Sequence, residues 1–329
     1  MNENNDNLKR KVRLGVGRRA MQGVFLDRKS LDLDDLDFSW LDKAVEEWQY
    51  YDETSSKQVL QRIINADVVI SNKVMLDKAV LDHAEQLKLI CVAATGTNNV
   101  DLAAAKKKGI QVCNVRAYGT ASVVQHVFAL LLSLLRNIPA YTKAVEQGHW
   151  QNSKQFCLMD FPIGELTGKV MGIVGYGELG KAVAKVARAF GMKIKIAQRP
   201  GSNEDKHIPL EELLPQVDVL TLHCPLTPET TNLISERELG LMKPSAILIN
   251  TARGGIVDEQ ALYQSLMDGH LGGAGIDVYS NEPPFGNALL EKLVALPNVV
   301  STPHIGAQTR EASRANSVII AEKLLAILK

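Results

Sequence analysis

The sequence predicts an α/β protein of two domains, each a parallel sheet flanked by helices. Three observations lead there. The chain has 329 residues, 46% hydrophobic and 22% charged, which is enough for about two cores. From Met21 onward, short β-branched runs alternate with amphipathic stretches, the pattern of βαβ units. No internal repeat, low-complexity segment or long linker interrupts this alternation, so two α/β domains packed around a cleft are the simplest architecture.

In chain order, residues 1–20 carry charge throughout and no apolar run, so they read as a tail and not as a signal peptide. Met21 is then the expected natural start. Strands are predicted at Asp67–Ile70, Leu87–Ala93 and Ile110–Cys113. Val123–Leu135 is strongly apolar but contains Gln125 and His126 and falls short of the ~20 residues that span a bilayer; a buried or interface helix is expected. A second series begins near Lys169, with strands at Val170–Val174, Lys193–Ala197, Val217–Leu222, Ala246–Asn250, Gly272–Val278 and Asn298–Ser301. Between the first two, Leu179, Val183, Val186 and Phe190 recur at three- and four-residue steps. They mark a helix over Glu178–Phe190 with one apolar face, stopped by Gly191. A last helix, Gln308–Leu328, fits against either domain.

Composition narrows the function. Lys and Arg number 37 and Asp and Glu number 37, so there is no net basic field to gather nucleic acid or anionic lipid; neither nucleic acid nor membrane is expected as a partner. Cys91, Cys113, Cys157 and Cys224 are scattered without a CxxC pair, which fits a reducing, cytoplasmic location. Metal-site signatures such as HExxH are missing, as is the GxSxG nucleophile elbow; no metal is expected.

Gly175-Tyr176-Gly177-Glu178-Leu179-Gly180 fits G-x-G-x-x-G, directly after a predicted strand and opening a predicted helix. There the first glycine makes a tight turn, the second lets backbone amides approach a pyrophosphate, and the third permits close helix–strand contact. The helix N-terminus stabilises the diphosphate. About 18 residues further on, where an acid would meet the ribose hydroxyls, the chain reads Ala197-Gln198-Arg199. An arginine there suits an adenine face or a 2′-phosphate, so both NAD(H) and NADP(H) stay open.

Three polar groups follow strands of the second series, where open α/β sheets form their ligand crevice. Arg253, in Asn250-Thr251-Ala252-Arg253-Gly254-Gly255, offers a planar fork for a substrate carboxylate. His304, in Thr302-Pro303-His304, suits proton transfer near neutral pH, which hydride addition to a ketone requires. Glu282, before a Pro283-Pro284 pair expected to hold the chain extended, would orient that imidazole. Asp277 ends a strand and could meet a nicotinamide carboxamide, whereas His126 and His223 read as structural.

These residues resemble the D-isomer-specific 2-hydroxyacid dehydrogenases, from about Met21 to the C-terminus. The likeness rests on Gly175–Gly180, His223–Thr230, Met242-Lys243-Pro244, Asn250–Gly255 with Val257-Asp258-Glu259, Asp277-Val278-Tyr279 with Glu282-Pro283, and Pro303-His304. Val24–Arg28, Ala94–Asp101 and Gln125–Leu130 resemble the bacterial glycerate dehydrogenase (hydroxypyruvate reductase) branch. The resemblance implies two Rossmann-like domains: a discontinuous, flavodoxin-like substrate domain, residues 21–121 plus 306–329, and an NAD(P)-binding Rossmann domain, 122–305, with the active site in the cleft.

It also implies reduction of hydroxypyruvate or glyoxylate to D-glycerate or glycolate, and the reverse. Arg253 would bind the substrate carboxylate and carbonyl, helped by backbone amides at Thr95, Gly96 and Thr97, while Glu282 would orient His304, the proton donor. Cofactor contacts would come from Gly175, Tyr176, Gly177, Glu178, Leu179 and Gly180, then Gln198, Arg199, Cys224, Pro225, Thr230, Thr251, Ala252, Asp277 and Gly306. A homodimer through the 123–135 helix is implied. After the histidine the chain has Ile305-Gly306-Ala307-Gln308, where glycerate dehydrogenases often place a Trp. D-3-phosphoglycerate and D-lactate dehydrogenation remain alternatives, as does a non-enzymatic NAD(H)-sensing, corepressor-like role.

Overall fold

Val68–Ser71 and Leu89–Val92 are buried at every position, the condition of central strands in a parallel sheet covered on both faces. They are β3 and β4 of a first sheet completed by β1 (Gln22–Phe25), β2 (Glu47–Tyr50) and β5 (Gln111–Asn114). All four pairings are parallel and the spatial order is β2-β1-β3-β4-β5, a doubly wound order with its switch point between β1 and β3.

The computed structural model describes residues 19–31, 36–199 and 207–328; the tail expected at 1–20 lies outside them up to residue 18. The chain divides into two compact units, Met1–Tyr118 with Arg310–Lys329, and Gly119–Thr309. In the first, α1 (Ser56–Ile63), α2 (Lys78–His83) and α3 (Leu102–Lys107) connect the strands. Asp77 and Asp101 cap α2 and α3 by accepting from the amides of Val80 and Ala104.

Among its described residues the second unit carries six parallel strands: β6 (Val170–Val174), β7 (Lys193–Ile196), β8 (Val219–Leu222), β9 (Ile247–Asn250), β10 (Gly273–Ile276) and β11 (Val299–Ser301). Their order is β11-β10-β9-β8-β6-β7, and a parallel bridge from Ala197 to Ile208 extends it past β7. Counting that bridge, the sheet has the order 3-2-1-4-5-6-7, the dinucleotide-binding order 3-2-1-4-5-6 with one further strand, and its switch point lies between β6 and β8. Most of the predicted strands shorten at their ends, as Gly272–Val278 does to Gly273–Ile276; the Asp277 amide still donates to the Asn250 carbonyl while its carboxylate bonds the loop after β11.

Helices of this unit are α4 (Thr120–Leu135), α5 (Ile138–Glu146), α6 (Glu178–Ala189), α7 (Leu210–Leu213), α8 (Glu236–Leu241), α9 (Glu259–Met267) and α10 (Ala288–Val294). The predicted helix at 123–135 is α4, and it is a core helix. Val123, Val124, Val127, Phe128, Leu130 and Leu131 are buried against Ile173, Val183 and Ile249. At about 1.5–3 kcal/mol per buried apolar side chain, this face is committed to its own unit. The last helix, α11 (Arg310–Leu328), belongs to the first unit, where Ile320, Ala321 and Leu324 pack with Phe25, Ile70 and Leu89. No single helix among the described residues is long and apolar enough to cross a membrane.

Candidate active site

At the β6–β8 switch point the three loop glycines meet different surroundings. Gly175 has φ +92°, and a Cβ on it would lie 2.6 Å from the His223 carbonyl carbon. A Cβ on Gly180 would lie 2.1 Å from the Gly175 carbonyl oxygen. Both are positions where backbone touches backbone. Gly177, which caps α6, has nothing within 4 Å, so the amides of the α6 N-terminus are open to an anion. Around this loop, Tyr176 meets the edge of His207, Leu179 packs into the core, and Glu178 accepts from the Thr120 hydroxyl.

Thr251 Oγ1 and His223 Nδ1 are buried without a hydrogen-bond partner among the described residues, a condition that costs about 1–3 kcal/mol for each group left unpaired. Burial alone depresses His223 to a pKa of about 4. An open helix N-terminus beside two orphaned polar atoms fits a bound dinucleotide.

On the far side of β6, the Gln198 amide donates to the Ile208 carbonyl at 2.7 Å and Arg199 is exposed. Arg199 lies within electrostatic reach of Glu229, whose carboxyl is held below the usual range chiefly by the Thr227 hydroxyl. Cys224 is half-buried, and burial pushes its thiol up. The Thr230 hydroxyl donates to the Pro225 carbonyl and accepts from the Thr227 amide, both at 2.7 Å, so it shapes the turn that presents Cys224 and Pro225.

Arg253, Glu282 and His304 come from three successive loops at the C-terminal edge of the sheet. The Asn250 side chain pins the first loop, accepting from the Ala252 amide at 3.1 Å and donating to the Arg253 carbonyl at 3.0 Å. The Arg253 guanidinium is half-buried and donates to the Ala252 carbonyl. A Cβ on Gly254 would lie 1.8 Å from the Tyr279 carbonyl oxygen, so the Arg253 loop lies directly on the segment leading to Glu282.

That segment is not extended, as Pro283-Pro284 had suggested. Glu282 turns back so that Oε1 accepts from the Tyr279 amide at 2.8 Å, and the Glu282–Pro283 peptide is cis. Glu282 Oε2 accepts from His304 Nδ1 at 2.6 Å, with both side chains about one-third exposed. This contact fixes the imidazole tautomer and leaves Nε2 for proton exchange.

Asp277 has both carboxylate oxygens engaged. It accepts from Thr302 Oγ1 (2.6 Å), from the amides of Ile305 and Gly306 (2.8 Å each), and from His126 Nε2 (3.3 Å). Burial would raise its pKa, but these bonds carry it below the usual carboxylate range. His126 reaches in from α4 and also bonds Thr302 at 2.9 Å. The sequence reading of His126 as structural misses this contact, and Thr302 carries no signal of it; the one available for His126 is a histidine within an otherwise apolar helical run.

Thr95, Gly96 and Thr97 form the loop after β4 in the first unit. The Asn114 side chain donates to the Thr95 carbonyl at 2.5 Å, and the Val100 amide to the Thr97 carbonyl at 3.0 Å.

Fold and site define a class: an α/β oxidoreductase with a dinucleotide loop, an arginine and an oriented acid–base histidine. Comparison with known proteins agrees. Residues 128–306 match the model of the D-isomer specific 2-hydroxyacid dehydrogenase, NAD binding domain. The chain is 45% identical over 304 residues to a glycerate dehydrogenase of Methylorubrum extorquens, covering 92% of this chain and 93% of the relative. It is 38% identical over 317 residues to a hydroxypyruvate reductase of Blautia hydrogenotrophica, covering 94% and 97%. Among solved structures, a D-lactate dehydrogenase from Aquifex aeolicus complexed with NAD and lactic acid superposes with a TM-score of 0.80 at 29% identity, covering 93% and 95%. The chain belongs to the D-isomer specific 2-hydroxyacid dehydrogenase family.

Proposed function

We propose that this enzyme reduces hydroxypyruvate or glyoxylate to D-glycerate or glycolate with NADH or NADPH, and runs the reverse reaction. The observation that carries the reading is the 2.6 Å contact of His304 with Glu282, next to the Arg253 loop and on the same sheet edge as the glycine turn. Arg253 holds the substrate carboxylate and polarises the carbonyl; Thr95, Gly96 and Thr97 are assigned to that carboxylate on the resemblance alone. His304 Nε2 delivers a proton to the carbonyl oxygen in reduction and recovers it in oxidation. Glu282 keeps the ring oriented and neutralises the imidazolium. Asp277, with Thr302 and His126, holds the loop on which His304 sits.

Gly175–Gly180, Gln198, Arg199, Cys224, Pro225, Thr230, Thr251, Ala252, Asp277 and Gly306 are the proposed cofactor contacts. When bound, the reduced nicotinamide supplies the hydride. Exposed Arg199, with no acid at that strand end, supports use of NADPH beside NADH.

A homodimer through α4 is also proposed: its outward face, with Ala121, Gln125 and Ala129, stays exposed, and the segment that follows it extends that surface. Between residues 138 and 163, Ile138, Trp150, Phe156, Met159 and Ile163 are all exposed, Phe156 at 94%. Apolar side chains gathered in one segment support a partner surface. The four free thiols support a cytoplasmic setting.

The test is the initial rate of NADH and NADPH oxidation with hydroxypyruvate, glyoxylate, pyruvate and 3-phosphohydroxypyruvate. Preference for hydroxypyruvate or glyoxylate is expected. Preference for pyruvate or the phosphorylated acid would replace the substrate, and tight cofactor binding without turnover would replace the enzyme by a sensor.

A further inference from the structure

Cys91 on β4 and Cys113 on β5 are register partners in a parallel pair, so their side chains leave the same face of the sheet side by side. Neighbouring strands lie about 4.7–4.9 Å apart, inside the ~4.4–6.8 Å Cα separation that a disulfide tolerates. β5 is an edge strand, with one side open to absorb a small adjustment. Cys91 is fully buried, Cys113 is partly exposed, and both are free thiols.

The two sulfurs are close enough to share a proton. The Cys91 S–H donates to Cys113, which raises the Cys91 thiol further than its burial alone would. The same bond, together with nearby Lys323 on α11, holds Cys113 below the ordinary thiol range. A partly exposed, acidic thiol beside a buried, protonated one is an attacking and a resolving cysteine.

We propose that Cys91 and Cys113 are a modification site, a dithiol that hydroperoxides oxidise to a disulfide. The Cys113 thiolate attacks the peroxide O–O bond, forming S–O and releasing the alcohol, or water from hydrogen peroxide. The Cys91 sulfur then displaces hydroxide from the Cys113 sulfenic acid; that hydroxide leaves as water with the Cys91 proton. In sum, two thiols and one hydroperoxide give one disulfide, one alcohol and one water.

The bridge sits where it can be felt. Asn114, the next residue, holds the Thr95 carbonyl, and β4 runs directly into Thr95-Gly96-Thr97. Oxidation therefore alters the loop assigned to the substrate carboxylate; this second consequence rests on the function proposed above.

The experiment treats the full-length protein with hydrogen peroxide, blocks remaining thiols, and maps peptides by mass spectrometry without reduction. The same samples are assayed with NADH and hydroxypyruvate. The expected result is a dithiothreitol-reversible peptide linking Cys91 to Cys113, with KM for hydroxypyruvate rising roughly tenfold, the scale of a sub-ångström misplacement of a binding loop. Cys91→Ser should leave Cys113 as a dimedone-reactive sulfenic acid; Cys91→Ala serves if the serine variant folds poorly. Cys113 passing to sulfinic acid with no linked peptide overturns the site, and a rise in KM with peroxide that is as large in Cys91→Ala and Cys113→Ser as in the parent overturns the coupling. If the reduced enzyme turns over none of the 2-oxo acids, the proposed function fails, while the linked peptide still decides the dithiol.

Discussion

His304 occupies a left-handed backbone conformation, φ +56°, that costs an L-residue on the order of 1–2 kcal/mol. Asp277 offsets that cost by accepting from the amides of the next two residues, so the strain lies where the chemistry needs a particular ring position. His304→Ala should lower kcat by roughly 10²–10⁴-fold while NADH binding, read by nucleotide fluorescence titration, stays nearly unchanged; equal loss of both would assign His304 to cofactor binding. Arg253→Lys replaces a two-pronged donor with a point charge and should lower kcat/KM for the 2-oxo acid by about 10–100-fold. Steady-state kinetics against varied 2-oxo acid check this. At this scale Arg253, Glu282 and His304 were legible as candidates, because each is a reactive type in a loop that follows a strand. The turn that brings Glu282 back onto the Tyr279 amide was not, since Pro283-Pro284 specifies a restricted backbone without saying which way it bends.

α6 and its loop show how an element divides the labour of its glycines. Gly180→Ala would press a methyl carbon into the Gly175 carbonyl at 2.1 Å, backbone that yields only by moving the helix. A cost of about 1–3 kcal/mol is expected, lowering Tm by roughly 5 °C and weakening NADH as well. Gly177→Ala meets nothing within 4 Å, so it should fold with unchanged Tm yet bind NADH less tightly, because the methyl group enters the space a diphosphate needs. Calorimetry and fluorescence titration separate the two, and a Tm loss in Gly177→Ala would refute the division. Helix α6 itself was readable from its apolar period and from Gly191, which has φ +77°. The placement of α4 was less so, because an apolar run is equally suited to a core and to an interface.

For the whole molecule, His223 sets a pH limit on stability. Its folded pKa of about 4 lies below the 6.5 of a free histidine, so the unfolded chain takes up a proton that the folded chain resists. The stabilisation is complete above pH 6.5 and is lost as pH falls towards 4. Roughly 2 kcal/mol should disappear between pH 7 and 5. Thermal melts across that range should show a shallower slope for His223→Gln than for the parent; parallel slopes would mean the ring is not held neutral. Assembly is tested by Phe156→Glu, which places a charge on the most exposed apolar side chain of the 138–163 segment. Sedimentation velocity should show monomers where the parent sediments as a dimer, and an unchanged dimer would move the interface elsewhere.

The sequence by itself determined the alternation of strands and helices, the dinucleotide turn and the reactive side chains at strand ends. Local periodicity, glycine spacing and residue chemistry are properties of neighbours along the chain. Only the tertiary structure decided that α4 lies in a core, that His126 and Thr302 join Asp277 behind the His304 loop, and that Cys91 and Cys113 share a register. Those contacts join residues separated by 22 to 176 positions, and sheet order and helix docking, which no local pattern specifies, set which of them meet.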